Sequence, residues 1–246
     1  MYSTRLKGKV TTFGSSGLLY RSNKLMYDRE TYTLWSHLLG EPVIGPLAGS
    51  GIKLEFFPVS LTTWGEWVEE HPDTTVLSRD TGYYSEAAYA DERDPESIYY
   101  EYRGTELTKY PVWDRDSSLN TKDIVLGLEQ DGAYKAYPLD ALRENVELND
   151  SIGGLEVVVM AASTSGDARA YLRDGRVFRP EDKDGGPGVP SSLVDSEGAV
   201  WTVTDDALVD ASDGSRTLPR VPSRLTYWFG WYAFHPDTAV YGEGGG

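Results

Sequence analysis

Cysteine is absent from this 246-residue chain. Disulfides, thiolate metal sites and cysteine nucleophiles are therefore excluded, while the redox compartment is left open. Cations are scarce: 23 Lys and Arg stand against 39 Asp and Glu, a formal net charge of −16, and only 8 of the cations are Lys. A surface of that sign repels phosphate backbones and anionic lipid, so no nucleic-acid partner is expected. Long apolar runs are missing too, so no transmembrane segment is expected, and Met1-Tyr-Ser-Thr-Arg-Leu-Lys7 lacks the apolar stretch of a signal peptide. Aromatic residues, by contrast, are plentiful. With 17 Tyr and 7 Trp the chain has the means to bury a core, in one large or two small domains.

A phrase is used twice. Leu61-Thr-Thr-Trp-Gly-Glu-Trp-Val-Glu-Glu-His-Pro-Asp-Thr-Thr-Val-Leu77 returns as Leu225-Thr-Tyr-Trp-Phe-Gly-Trp-Tyr-Ala-Phe-His-Pro-Asp-Thr-Ala-Val-Tyr241, ungapped, with nine of seventeen positions identical. Two aligned Trp beside a shared His-Pro-Asp-Thr make coincidence a poor account, so an internal duplication is expected. Further pairs extend it: Leu54 and Pro58 with Leu218 and Pro222, then, with drift, Gly8 with Gly175, Asp28 with Asp195 and Trp35 with Trp201. A Gly- and Pro-rich stretch at 184–190 stands where the first copy has 13–20. The expected organisation is two homologous lobes: a first lobe at 1–84, a Tyr-rich connector at 85–123, and a second unit at 124–246 made of a lead-in and a lobe.

Short β-prone segments bounded by Gly, Pro or Asp-Gly predict antiparallel sheet at 18–20, 25–28, 33–35, 53–57 and 75–77, then at 176–178, 193–195, 200–203 and 239–241. The fold class is thus mainly β with short helices (α+β). The helices belong to the repeated phrase. Trp64, Trp67, Val68 and His71 fall at i, i+3, i+4 and i+7, as do Trp228, Trp231, Tyr232 and His235, which predicts two helices with buried aromatic faces. Thr62 or Thr63, and Thr226, are the expected caps, and Pro72 and Pro236 the stops. The opposite faces differ, Glu66, Glu69 and Glu70 against Gly230, Ala233 and Phe234, so the first helix is expected to face water and the second to be covered. A hairpin about Gln130-Asp-Gly132, a helix at 139–145 and strands at 146–148 and 155–160 form the lead-in to the second lobe. No such lead-in precedes the first lobe. Its sheet is expected to be open, which invites self-association or a partner that covers it.

Thr12-Phe-Gly-Ser-Ser-Gly-Leu-Leu-Tyr-Arg-Ser-Asn-Lys-Leu-Met-Tyr-Asp-Arg-Glu-Thr31, Leu34-Trp-Ser36, Leu61-Thr-Thr-Trp-Gly-Glu-Trp67, Ala136-Tyr-Pro-Leu139, Asn149-Asp150, Ile152-Gly-Gly154 and His235-Pro-Asp-Thr238 together resemble the domain-of-unknown-function family numbered 3179. The resemblance covers most of the chain. It implies mainly extracytoplasmic proteins of bacteria and archaea with no established activity. It also implies an upstream lead-in ending in a Cys-Pro-x-Cys pair, which this sequence does not contain; 157–164 is the comparable stretch of its own lead-in.

No complete catalytic signature is present. Phe13-Gly-Ser-Ser-Gly17 is not a nucleophile elbow, and 184–190 lacks the Lys-Ser/Thr of a phosphate loop. Asp28/Glu30 and Asp114/Asp116 could serve as paired carboxylates, and Asp205-Asp206 with Asp210-Ala-Ser-Asp-Gly214 could hold calcium, but an acidic chain makes such neighbours freely. His71 and His235 occupy equivalent places, either as metal or acid–base residues or as rings packed on their Trp faces. The segment 15–23 is specific to the first copy, so a ligand site lined by Ser16, Tyr20, Asn23, Met26 and His71 is expected there. Two classes of function follow. One is an extracytoplasmic small-ligand or metal-binding module without catalysis. The other is a metal-dependent enzyme or redox accessory whose thiol ligands lie in the absent N-terminal segment. No particular cofactor is indicated.

Overall fold

Turns that tolerate a left-handed backbone divide the chain into short strands. In the computed structural model, which describes residues 1–91, 94–97, 99–145, 148–181 and 188–242, β1 (Arg5–Leu6) and β2 (Lys9–Val10) meet across Lys7 and Gly8, both at positive φ. Next come β3 (Phe13–Tyr20), β4 (Asn23–Asp28), β5 (Leu34–Ser36) and β6 (Pro42–Ile44), an antiparallel sheet in that order. The helix α1 (Trp64–Glu70) follows, then α2 (Tyr100–Arg103) in the connector.

The second half opens with the hairpin β7 (Ile124–Gln130) and β8 (Ala133–Pro138), turned through Asp131 and Gly132 at φ 48° and 80°. After α3 (Leu139–Glu144), strands β9 (Leu148–Ile152), β10 (Leu155–Ala161) and β11 (Ala168–Leu172) form a sheet with β10 central. A five-stranded antiparallel meander follows: β12 (Phe178–Pro180), β13 (Ser192–Asp195), β14 (Val200–Val203), β15 (Ala207–Asp210) and β16 (Thr217–Pro219). Finally β17 (Ser223–Tyr227), α4 (Trp228–Tyr232) and β18 (Ala239–Val240) return to the first hairpin, giving the order β17-β7-β8-β18 with β18 parallel to β8.

Side-chain alternation on β10 explains how the second half holds together. Val157 and Val159 point into a core with Leu126, Tyr137, Leu142 and Ala170, whereas Val158 and Met160 point into another with Tyr171, Phe178, Leu193 and Trp201. Both faces of one strand are thus buried, and four branched or flexible side chains join two cores. A third cluster sets Trp228 and Trp231 against Val125, Ala136 and Val240.

The chain is mainly β with short helices, as its patterning predicts. The same local construction recurs in the two halves. Phe13 pairs with Asp28 and Phe178 with Asp195 in register. The indole Nε1 of Trp35 donates to Asp28 at 3.0 Å, and that of Trp201 to Asp195 at 3.0 Å. Each Trp meets its Phe edge-on, at 5.8 and 5.9 Å between centroids. Both carboxylates are buried. Burial alone would raise their pKa values, but the indole and turn N–H donors outweigh it and hold both below the usual Asp range.

Several expectations need correction. Residues 53–57 contribute one isolated bridge, Tyr2 to Phe56, rather than a strand, and 75–77 forms none. Residues 53–57 bond only to the N-terminal residues Met1 and Ser3 and to Gly40, too few contacts for a ladder, and 75–77 has no described strand beside it, so β-propensity alone leaves it extended. Thr63 caps α1, but the cap of α4 is Tyr227, whose side chain makes no capping bond. The strand expected at 146–148 falls partly outside the described residues, as does most of the stretch 184–190.

Candidate functional site

A cavity of about 500 Å³ lies between the N-terminal sheet and the central sheet. Phe13, Asn23 and Met26 line it from β3 and β4, and Leu54, Phe56 and Leu61 from the chain leading to α1. Leu126, Ala168, Ser223 and Leu225 close it from β7, β11 and β17. Most of this wall is aliphatic or aromatic. The volume lies in the range of pockets that enclose a small organic molecule.

Its polar groups are few and mostly committed. Tyr2 donates its hydroxyl to the Leu38 carbonyl at 2.6 Å, and Arg224 donates Nε to the same carbonyl at 2.8 Å. The Arg224 guanidinium also lies 4.7 Å from the Phe56 ring centre and 3.7 Å from Glu129. Glu129 in turn pairs with Lys53 at 3.0 Å, and Lys53 with Glu41 at 3.1 Å. Burial raises the Tyr2 phenol pKa, and partial burial with the Lys24 charge lowers that of His37. Asn23 differs from these. Its Oδ1 is buried and accepts no hydrogen bond from any protein group. An amide oxygen left in that state calls for a donor.

Of the five residues expected to form a site, the structure places Asn23 and Met26 on this cavity. Ser16 instead donates to the Leu25 carbonyl at 2.7 Å and accepts from the Leu18 amide at 3.1 Å, shaping the β3–β4 hairpin at its register shift. Tyr20 packs edge-on against Phe234, 5.7 Å between centroids, while Arg21 beside it donates to the Ala233 carbonyl. His71 lies elsewhere, in a shallow cleft with Glu70, Pro72, Asp73 and Thr74. The five do not converge on one concavity. Arg224, His37 and Tyr2 were not legible as lining residues. They come from three separate segments, and Arg224 aligns with Ser60, so the repeat gave no hint of it.

The two repeated histidines share one local geometry. His71 stands 4.1 Å from Trp67 at a 43° tilt, and His235 stands 4.2 Å from Trp231 at 45°. Each Trp donates Nε1 to the Thr seven residues on, Trp67 to Thr74 at 3.0 Å and Trp231 to Thr238 at 2.9 Å. Each His amide closes its helix on the Trp carbonyl. Their surroundings differ. His235 is buried, stacked on Tyr134 at 4.2 Å, and its Nε2 has no hydrogen-bond partner; burial lowers its pKa to about 4. His71 is exposed. The expectation that both aromatic faces are buried holds at α4 and fails at α1. Trp64 and Trp67 are 54% and 39% exposed, because among the described residues no strand lies against them, whereas Trp228 and Trp231 are 1% and 0% exposed.

Among the described residues no group of three or more His, Asp or Glu side chains is placed to hold a metal ion, and no helix is long and apolar enough to cross a membrane. The arrangement is that of a β-rich protein with an apolar cavity between its halves. The chain belongs to the protein family of unknown function DUF3179, whose family model matches residues 1–238. No curated protein and no solved structure matches it.

Proposed function

We propose that this protein is a non-catalytic binding module, which holds a small, mainly apolar organic molecule in the cavity between its halves. The observation that carries the reading is the chamber itself, walled mainly by aliphatic and aromatic side chains and including Asn23, whose amide oxygen is buried without a hydrogen-bond partner. A ligand with an apolar body and one N–H or O–H donor would satisfy it. An unmade buried hydrogen bond costs about 1–3 kcal/mol, so such a donor would be favoured over its apolar analogue by up to about a hundredfold. The Arg224 charge is shared with a backbone carbonyl and Glu129, which favours an uncharged ligand over an anion. The extracytoplasmic setting implied by family resemblance is part of this reading. So is descent of the two lobes from one duplicated unit, supported by the matched Trp–His–Thr and Asp–Trp geometries.

The test is a panel of fluorinated anilides and phenols, each with a single donor, titrated against the full chain by fluorine NMR. Binding should weaken about tenfold in Asn23→Leu and vanish in Met26→Trp, which fills the chamber. Compounds that bind all three proteins alike, or none of them, would overturn the reading.

A further inference from the structure

We propose that the unit formed by residues 59–63, α1 and 74–77 is a docking site for a β-hairpin supplied by another polypeptide. That hairpin sets a glycine or alanine beneath Trp67 and carries basic residues toward Glu69 and Glu70. The second half of the molecule shows what such a unit holds. There β17 bonds to β7 through Leu225–Leu126, Thr226–Val125 and Tyr227–Ile124, and β18 runs beside β8 through Ala239–Lys135 and Val240–Ala136. The β7–β8 hairpin is therefore inserted between the two strands that flank α4. Small residues make the fit possible. A Cβ on Gly127 would come within 2.2 Å of the Trp231 ring, and Ala136 packs in the same cluster.

Around α1 the same receptor exists without its insert. The Trp67–His71 and Trp67–Thr74 geometry is already set as it is at α4. Yet no described strand pairs with 61–63 or 75–77, the segments that align with the ends of β17 and with β18. Val76, aligned with the buried Val240, is 72% exposed, and Leu77 is 93% exposed. Open backbone edges beside an uncovered aromatic face are a template for strand addition. A second copy of this chain is a poor source, since its β7–β8 is already held under its own α4 and two surfaces of charge −16 repel. Glu69 and Glu70 are exposed and make no ion pair among the described residues, which favours a basic rim on the incoming hairpin.

The experiment titrates the full chain with a backbone-cyclised peptide carrying the sequence of residues 124–138 with Glu129→Lys and Asp131→Asn, which give it the basic rim, cyclised to hold the hairpin together. Amide exchange and the Trp67 indole NMR signal are followed. The amides of 75–77 should become protected while those of 239–240 do not change. Affinity should fall about tenfold both for a Gly127→Val peptide and for a Trp67→Ala chain, as expected for loss of a central aromatic anchor. A peptide that leaves 75–77 unprotected, or binds the Trp67→Ala chain equally well, overturns the proposal. So does protection of 75–77 in a peptide-free chain of doubled mass, which would assign the site to self-pairing.

Discussion

The two helices of the repeated phrase reach the same geometry by different means. α1 has no buried residue and is fixed by its own sequence: Thr63 Oγ1 accepts from the Glu66 amide at 3.2 Å while the Glu66 carboxylate accepts from the Thr63 amide at 2.8 Å. That reciprocal cap satisfies two of the orphan donors of a helix start. α4 has no side-chain cap and needs none, since β7, β8 and β18 enclose it. One Trp-x-x-Trp-x-x-x-His phrase therefore marks a local shape, and burial is decided by what the rest of the chain brings to it.

That difference predicts very unequal costs. Trp231→Ala should lower stability by about 3–5 kcal/mol, the range for emptying a core of a large aromatic, and Trp67→Ala by less than about 1 kcal/mol. Urea unfolding of the two variants measures both, and similar losses would break the comparison.

The histidines sharpen it through pH. His235 takes up a proton near pH 4 when folded and near its ordinary 6.5 when unfolded. Between those values the unfolded chain binds more protons, so the contribution is complete above 6.5 and is lost as pH falls toward 4. The loss should be on the order of 2–3 kcal/mol. His235→Phe keeps the stacking and should flatten the stability profile across that window, as read by thermal unfolding at a series of pH values.

A smaller effect is expected from the floor of the α4 site. Gly127→Ala forces a methyl into the Trp231 ring and should cost about 1–3 kcal/mol, the usual price of overpacking. Guanidinium titration would measure it, with Gly65→Ala on open α1 as the neutral control.

Much of this was legible in the sequence. The hairpin at Asp131-Gly132, α3, the Asp–Trp pairs as aligned positions, the presence of both Trp helices and the boundaries of α1 follow from turn chemistry, periodicity and the repeat. The alternation of Val157 to Met160 between two cores was not, because a continuous apolar run does not say which residue faces which neighbour. The faces opposite the Trp stripe did separate the helices, Glu66, Glu69 and Glu70 against Gly230, Ala233 and Phe234, but the stripe itself records only a face that can be buried, whereas its cover comes from strands distant in sequence. The cavity was half legible. Asn23 ends the copy-specific segment and Met26 follows it on the same strand, but Arg224 and His37 join them only through tertiary packing.

Amide hydrogen exchange of segments 59–77 and 223–241 in one sample tests the contrast most directly. The Tyr241 amide lies in the β8–β18 ladder, its N–H donating to the Ala136 carbonyl at 2.9 Å. It should exchange only through opening of the central sheet, while the aligned Leu77 amide exchanges close to the rate of an unstructured peptide. Equal protection of the two segments in the isolated monomer would contradict the account, and α1 would then be covered as fully as α4.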